Sequence, residues 1–304
     1  MGRNLKYQCL TAINASFKPG VSKHSAKRQK LTKTNRIFSY SDRTNLINLS
    51  SSFCNYMKVH FPEVKLVKNI KETHINQFLL EKSKICSSKT LELYKSNFKK
   101  LGKTIAAYYH CEECNHWELK TFSGYSESIR NISMSYGDYL TLLSTYNRNL
   151  SNNGFNSIYL SYSFGCRVSE LAKLKGNDIL IDENGSASLR IIDSKGRRSR
   201  VSICCHKNMD YLKQLQAKGE DRIIPIQKES INKNVRTHLQ MAGLALKYDR
   251  TCIHAIRKLY AQTIFNTFRN EGKSTKEALN LTSHNLGHGD NRLSLMQKYI
   301  QEIW

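Results

Sequence analysis

Three runs of hydrophobic residues at spacings of three and four mark the first half of the chain. Such spacing places the apolar side chains on one face of an α-helix. The three runs are Leu46, Leu49, Phe53, Met57 and Phe61; Ile75, Phe78 and Leu79; and Leu91, Tyr94, Phe98, Leu101, Ile105 and Tyr108. The pattern predicts a small all-helical module over residues 42–122.

A second domain is predicted after a polar segment. Residues 123–132 are mostly small or polar and predict a linker. Beyond it, Ser135 and Asp138 have the spacing of a helix-capping box. Helical patterns then continue to a last predicted helix over residues 293–303. We therefore expect a domain over residues 133–304.

The hydrophobic period changes from that of a helix to that of a strand over residues 186–205. Alternating residues flank a short basic turn that contains Lys195, Arg197 and Arg198. This arrangement is typical of two antiparallel strands joined by a tight turn. The predicted fold class is therefore mainly α with a small antiparallel β-sheet, that is, α+β.

The chain is strongly basic. Its 304 residues include 48 Lys and Arg against 24 Asp and Glu, a formal charge of +24. Such a charge favours a polyanionic partner, with nucleic acid ahead of an anionic membrane surface. Hydrophobic residues make up 39% of the chain, which is enough to form packed cores and excludes disorder throughout.

The sequence also bears on the compartment. No hydrophobic run approaches the roughly 20 residues of a membrane-spanning helix, and the first residues contain no apolar signal core. Nine cysteines are an odd number without dense spacing, which fits a reducing compartment better than a disulfide framework. We expect a cytoplasmic protein, associated with the nucleoid if its partner is DNA, and no membrane partner.

Basic residues concentrate in places that suit contact with a phosphate backbone. Residues 1–41 hold nine Lys and Arg and no acidic residue, and we interpret them as a basic N-terminal arm. The arm either follows phosphates by counterion release or is a solvated, flexible tail. Lysines on the third predicted helix either bind DNA or form an ordinary solvated face. The candidate DNA contacts are Lys27, Arg28, Lys95, Lys99, Lys100, Lys103, Arg197 and Arg198.

One pair of residues indicates phosphate chemistry. His254 and Arg257 lie three residues apart, on one face of a predicted helix. An imidazole and a guanidinium in this arrangement can both donate to one phosphate group. Alone the pair is weak evidence, because ten His and many Arg produce such spacings by chance.

The order of the surrounding motifs makes the pair specific. Gly165-x-Arg167-x-x-Glu170 precedes it, and Lys195 lies in the basic turn between them. Leu286-Gly287-His288 and then Tyr299 follow it. With these motifs residues 130–304 resemble the tyrosine recombinase (phage integrase) family in detail, and its mobile-element integrases in particular. The module over residues 42–122 is similar, by length and pattern, to the SAM-like core-binding domain of that family.

The resemblance implies a role for each matching position. Two arginines would bind the non-bridging oxygens of the scissile phosphate, and a lysine would protonate the leaving 5′-oxygen. Two histidines would donate hydrogen bonds, and an acidic residue would support the first arginine and a histidine. A tyrosine would attack and become joined to the 3′-phosphate. In that order the residues are Arg167 and Arg257, Lys195, His254 and His288, Glu170, and Tyr299.

Some features depart from the family pattern or compete with it. Tyr299 follows His288 by eleven residues, a longer interval than is common in the family, and Ser194 replaces the usual glycine before Lys195. Only five residues follow Tyr299, so the C-terminal segment that docks in a neighbouring protomer is expected to be short. Tyr260 is a rival nucleophile, but its spacing from Arg257 predicts a core position.

The function implied by the resemblance is site-specific DNA recombination. It would proceed through a 3′-phosphotyrosyl intermediate and a Holliday junction, and would integrate or excise a mobile element. The implied partner is double-stranded DNA carrying attachment sites. The protein would act as a homotetramer on DNA and be a monomer or weak oligomer when free, with accessory directionality or DNA-bending proteins and no cofactor. The alternatives are a resolvase, another type IB topoisomerase-like strand transferase, or an inactive DNA-binding regulator.

A cysteine-rich segment raises the question of a metal. Cys111, Cys114 and His116 have ligand-like spacing, but zinc needs four ligands and this segment supplies three. We interpret the cysteines as packed thiols and the histidine as a surface residue, and predict no metal site.

Overall fold

The chain forms two compact units, Met1–Glu127 and Ser128–Trp304, and the boundary falls within the predicted linker. The structure, a computed structural model, describes residues 4–20, 36–125, 132–194, 199–206 and 209–304. Five candidate site residues lie outside these ranges and stay predictions: Lys27, Arg28, Lys195, Arg197 and Arg198.

In its described residues the first unit is a helical bundle around one core. Its α-helices are α1 (Leu5–Ser16), α2 (Tyr40–His60), α3 (Glu72–Ser83) and α4 (Ser88–Tyr109), with 3₁₀ turns at Val67–Asn69 and Glu112–His116. Helices α2, α3 and α4 are those that the hydrophobic spacing predicts. Phe53, Phe78 and Phe98, one from each, meet edge to face with ring centroids 5.0–5.7 Å apart, a geometry that stabilises aromatic cores.

Helix α1 corrects part of the predicted N-terminal arm. Residues 4–16 are not a free basic segment, because one face of α1 is buried against α2 and α4 through Cys9, Ala12 and Ile13. The segment after it pairs with Ile37, whose main-chain N–H and C=O both take part in hydrogen bonds. The basic residues of this segment are typical of a free arm, but its apolar residues have the spacing of a helix.

The second unit combines helices with one small sheet. Its helices are α5 (Tyr136–Ser144), α6 (Asn153–Phe164), α7 (Val168–Leu171), α8 (Asp210–Gln216), α9 (Lys228–Met241), α10 (Ala245–Tyr248), α11 (Ile253–Asn270), α12 (Thr275–Asn285) and α13 (Leu293–Met296), with a 3₁₀ turn at Gly176–Asp178. The strands are β1 (Ile179–Ile181), β2 (Ala187–Ile191) and β3 (Arg200–Ile203). They form an antiparallel sheet in the order β1-β2-β3. The predicted fold class is confirmed; β1, at three residues, is too short to show alternation in the sequence.

Helix α6 is the centre of this unit. Ten of its twelve residues are buried, so it lacks the polar face of a surface helix. Helices α7, α9 and α11 pack around it. The C-terminal end of α6 lies against the N-terminal end of α11. The motif that begins at Gly165 and the motif that contains Arg257 are therefore neighbours in space.

The C-terminal segment differs from the predicted helix over residues 293–303. The helix ends at Met296. The main-chain N–H groups of Gln301 and Glu302 instead donate to Oε1 of Gln262 on α11, at 2.9 and 3.1 Å. These bonds replace the ones that a continued helix would have made.

The last residue also contacts its own chain. The carbonyl of Trp304 accepts from Nε of Arg269 at 2.7 Å, and its indole Nε1 donates to Asn266 at 3.3 Å. Its ring faces the Arg269 guanidinium at 5.0 Å. The expected short C-terminal segment is therefore held by α11 of the same chain. Among the described residues no helix is long and apolar enough to cross a membrane.

Candidate active site

A glycine turn places the first arginine. Helix α6 ends at Gly165, whose φ of +60° lies in the left-handed region. A Cβ at this position would lie 2.3 Å from the ring of Tyr260, so the turn requires glycine. Arg167 then caps helix α7. Tyr260 is fully buried and donates to the carbonyl of Ile203 at 2.8 Å, a core residue as its spacing predicts.

The carboxylate of Glu170 holds two guanidinium groups. It accepts from Nη1 and the main-chain N of Arg167, both at 2.8 Å. Arg200 donates to both of its oxygens, at 2.7 and 2.8 Å. Burial alone would raise the pKa of Glu170, but Arg200 and the nearby Arg257 hold it far below its usual range. Glu170 is therefore ionised at neutral pH.

Arg257 is the buried cation of the site. It lies in the first turns of α11 with 1% of its surface exposed. One Nη donates to the carbonyl of Gly165 and the other to that of Leu286. Its Nε has no hydrogen-bond partner among the described residues. Burial and the charge of Arg167 lower its pKa to about 10, so it stays protonated at neutral pH and has a donor left for an anion.

A single main-chain carbonyl joins the two arginines of the motifs. The oxygen of Leu286 accepts from Nη2 of Arg167 at 3.1 Å and from Nη2 of Arg257 at 2.6 Å. Two guanidinium groups at one atom repel each other, and a bound anion would relieve that repulsion. The arrangement is suited to binding an anion and to stabilising developing negative charge.

Tyr299 lies beside Arg257 and two histidines. Its ring centroid is 5.3 Å from that of His254 and 5.3 Å from that of His288. The Arg257 guanidinium carbon is 5.9 Å from the same ring. Tyr299 is 8% exposed, so its ring is fixed among these groups.

The long interval before Tyr299 forms an anchored loop. Gly287 turns the chain after α12 with a φ of +71°, and the hydroxyl of Ser283 donates to the carbonyl of Gly289 at 2.6 Å. His284 and Asp290 are hydrogen-bonded across the loop. The residues added between His288 and Tyr299 thus leave both side chains at the same site.

Six of the seven site residues suggested by the motifs converge here: Arg167, Glu170, His254, Arg257, His288 and Tyr299. The seventh, Lys195, lies outside the described residues. Its predecessor Ser194 donates to Glu170 and accepts from Nη1 of Arg167 at 3.1 Å. The chain therefore approaches the anion site just before Lys195.

The lysines of α4 differ in their surroundings. Lys99 and Lys103 are exposed, and Lys95 donates to the hydroxyl of Thr121 at 2.6 Å. Lys100, one position round the helix from Lys99, is ion-paired with Asp42 of α2. Lys100 therefore links α4 to α2, and the four lysines stay candidate DNA contacts.

The cysteine-rich segment is part of the first unit, and Cys114 is buried in the core of that unit. The sulfurs of Cys111 and Cys114 lie 3.4 Å apart, and burial raises the pKa of the Cys114 thiol to about 12. His116 is exposed and its Nε2 lies 3.9 Å from a carboxylate oxygen of Glu112. No group of three or more His, Cys, Asp and Glu side chains suited to a metal occurs in the parts of the chain that the structure describes.

Arg200 is the site residue that the motifs did not single out. Its strand has an inverted pattern, because Val201 and Ile203 face solvent while Arg200 and Ser202 face inward. A charged residue at the inward position of a short strand is unusual and marks a polar site. That signal was present in the sequence, although four basic residues within six positions obscured it.

Comparison with known proteins shows which solved structures share this architecture. No family model matches the sequence, and no curated protein matches it. Among solved structures, the XerH site-specific recombinase bound to palindromic difH substrate is 18% identical, with a TM-score of 0.62 over 98% of this chain and 90% of that one. A lambda integrase dimer bound to a COC′ core site is 17% identical, with a TM-score of 0.61 over 95% and 79% of the chains. The fold is that of the tyrosine recombinases.

A third solved structure, that of a transposon integrase, is also similar to this chain. The Tn1549 transposon integrase in complex with transposon right-end DNA is 15% identical, with a TM-score of 0.54 over 98% of this chain and 94% of that one. The resemblance drawn from the motifs is confirmed at the level of the fold. At these identities the likeness carries the fold alone, so the chemistry must be argued from the site.

Proposed function

We propose that this protein is a site-specific DNA recombinase that cuts and rejoins strands through a tyrosine nucleophile. The observation that carries the proposal is the enclosure of Tyr299 by His254, His288 and Arg257. These residues come from distant segments, and they meet at a site that holds two cations and has an unused donor. A scissile phosphate is the anion that suits this combination.

The arginines suit the charge of phosphoryl transfer. In the transition state negative charge spreads over the equatorial oxygens of the phosphorus. Guanidinium groups stay protonated and donate in a planar fork that matches those oxygens. Arg167 and Arg257, already fixed on the Leu286 carbonyl, need little rearrangement to receive the phosphate. This geometry supports the roles that we propose for the two residues.

The phenol and its neighbours account for the proton transfers. A tyrosine hydroxyl ordinarily has a pKa near 10 and is a poor nucleophile at neutral pH. In the proposed step His254 or His288, which lie against the Tyr299 ring, accepts the phenolic proton as attack begins. The leaving 5′-oxygen needs a proton in return. We assign that donation to Lys195, which directly follows the anchored Ser194.

The covalent intermediate explains how strands are rejoined. A 3′-phosphotyrosyl bond keeps the free energy of the broken phosphodiester, so a 5′-hydroxyl from another strand can reverse the reaction without a nucleotide cofactor. Exchange between two duplexes then passes through a Holliday junction, which calls for four active subunits. One lambda integrase structure of this fold is a tetramer bound to a Holliday junction. We propose the same assembly here.

The biological outcome proposed is integration or excision of a mobile element. The transposon integrase and lambda integrase among the structural neighbours favour it. Resolution of multimers uses the same chemistry, and XerH shares the fold equally well. Relaxation of a supercoiled plasmid that carries one site would indicate a strand transferase, because recombination needs two sites. Among recombination outcomes, joining of two plasmids with one site each indicates integration, and division of one plasmid with two sites indicates excision or resolution.

The direct test is capture of covalent protein–DNA complexes. The full chain is incubated with duplexes that carry random sequences and nicks, so that cleavage releases a short fragment and cannot reverse. We expect complexes that survive SDS and yield a Tyr299 peptide joined to a 3′-phosphate on digestion. Salt-sensitive binding of the same duplexes without SDS-stable complexes in any pool would refute the enzyme and support an inactive DNA-binding regulator.

The first unit supplies a basic surface for the DNA backbone in this proposal. Lys95 and Lys99 of α4 line, with Lys120, a surface cavity of about 390 Å³. Lys103 lies one further turn along the helix and is exposed. Lysines at such spacing follow a phosphate backbone without reading bases. Lys27 and Arg28 belong to the same proposal on sequence alone.

Neutralising this surface should weaken the salt dependence of DNA binding. For the variant with Lys95, Lys99 and Lys103 all changed to Gln, the slope of log K against log salt should become shallower by about 0.9 for each phosphate that the protein no longer neutralises. A matched variant changes Lys58, Lys65 and Lys68, exposed lysines elsewhere in the unit, to Gln. Equal slopes for the two variants would show that the α4 surface has no special part in binding.

A further inference from the structure

Arg200 is a buried cation for which the proposed reaction has no direct use. Its side chain is 7% exposed. A guanidinium is stable in such a place only when partners match its charge and its hydrogen bonds. The identity of those partners therefore shows what the residue does.

Every edge of the Arg200 guanidinium is engaged. Nη1 and Nη2 donate to the two oxygens of Glu170, at 2.7 and 2.8 Å. Nε donates to the carbonyl of Asn285 at 2.8 Å. Because Glu170 also accepts from Nη1 of Arg167 at 2.8 Å, one carboxylate links the two guanidinium groups. The donors of Arg200 are thus taken up by groups that hold the residues of the candidate site, which leaves none for a phosphate.

The Asn285 contact ties Arg200 to the turn that carries the shared carbonyl. Asn285 ends α12 and directly precedes Leu286, whose oxygen receives both Arg167 and Arg257. The side chain of Asn285 also accepts from the main-chain N–H of Ile203 at 3.0 Å. Strand β3 thus donates hydrogen bonds to both the main-chain carbonyl and the side-chain oxygen of Asn285.

The glycine of the Leu286-Gly287-His288 motif fits the same contact. A Cβ on Gly287 would lie 2.9 Å from Cδ and 3.1 Å from Nη1 of Arg200. The side chain of Arg200 therefore packs directly on the turn that leads to His288. Three segments far apart in sequence, at Glu170, β3 and the end of α12, meet at this one guanidinium.

We infer that Arg200 is a positioning residue, which holds Glu170 and the end of α12 so that Arg167 and Arg257 keep their spacing around the phosphate. The inference rests on the proposed strand cleavage, because it names the support of residues assigned to that reaction. Arg200 does not touch the phosphate in this scheme. Its loss should slow cleavage and leave DNA binding, which depends on surface lysines, nearly unchanged.

The first comparison measures covalent complex formation at saturating DNA. Arg200→Gln should lower the rate by about 10- to 100-fold, the scale produced by a misplacement of about 1 Å in a reacting group. Its apparent dissociation constant should stay within about threefold of the wild-type value, because phosphate contacts dominate affinity. Arg190→Gln is the matched control, since Arg190 lies on β2, half exposed, with Asp178 3.7 Å away. The control should cleave at the wild-type rate.

A second comparison separates positioning from a general structural role. Arg200→Lys keeps the charge and part of the hydrogen bonding, and should recover a rate between those of Gln and wild type. Glu170→Gln should be slow by itself. In that background Arg200→Gln should add less than about a threefold loss, because residues of one network are not additive.

The outcomes distinguish this inference from the proposed function. A wild-type chain that forms no covalent complex on any duplex overturns both. A wild-type chain that cleaves, with Arg200→Gln within threefold of it or with multiplicative losses in the double variant, overturns the inference alone. Melting temperatures are measured for each variant. If Arg200→Gln unfolds at the assay temperature, Arg200→Lys decides instead, because it keeps a cation opposite the buried Glu170 carboxylate; a cleavage rate equal to that of the wild type would then overturn the inference.

Discussion

Replacing Tyr299 by Phe should abolish covalent complex formation with DNA. The substitution removes the attacking oxygen and keeps the ring, so its contacts with His254, His288 and Arg257 persist. DNA affinity should change by less than about twofold, or about 0.4 kcal/mol. The measurement is the fraction of nicked duplex recovered as an SDS-stable complex at saturating protein.

The control for this result is Tyr136→Phe. Tyr136 begins α5 and is exposed in the same unit, so its loss tests whether any tyrosine substitution disturbs the protein. Full complex formation is expected from the control. An SDS-stable complex that forms as readily with Tyr299→Phe would assign the nucleophile to another residue and remove the basis of the mechanism.

Replacing Arg167 by Ala should slow cleavage by about 100- to 1,000-fold, the usual effect of removing one donor to a developing anion. Arg167 is better suited to this test than Arg257, because Arg257 is buried and bonded to two main-chain carbonyls. Removing Arg257 would take the donor away from the Gly165 carbonyl and leave a cavity in the core, and would mix folding with catalysis. The rate is measured at saturating DNA, so that weaker binding does not enter it.

Lys173→Ala is the matched control for Arg167→Ala. Lys173 lies two residues after α7 and is exposed. Its substitution therefore removes one positive charge near the site without changing a residue of the proposed anion pocket. Its cleavage rate should equal that of the wild type. Equal losses in the two variants would mean that Arg167 contributes only to the general positive potential of the surface.

The motifs predicted which side chains lie together in the structure, because phosphate chemistry would depend on residue type. An anion pocket would need guanidinium and imidazole donors, and their order along the chain singled out Arg167, His254, Arg257 and His288 as candidates before any geometry was available. The helices of the first unit were equally accessible, because burial at three- and four-residue spacing is a local property. Both kinds of information survive in a single sequence.

The remaining features depend on contacts between distant segments. Arg200 is one of several basic residues near the turn, and only its pairing with Glu170 and Asn285 distinguishes it. Helix α1 has an apolar face, yet its docking depends on a groove formed by α2 and α4. Likewise, the main chain of Gln301 donates to the side chain of Gln262 on α11, although local propensity would have continued helix α13 through this residue. Each of these outcomes is set by tertiary structure overriding a local preference.

The carbonyl oxygen of Leu286 has a consequence for how such a pocket can vary. Every amino acid has this atom, so no substitution at residue 286 deletes the contact with either guanidinium. The separation of the two cations is instead encoded by the course of the backbone around it. The side chain at that position is constrained only by the core in which Leu286 is fully buried, whereas an insertion or deletion of one residue in the turn would change the separation of the two cations.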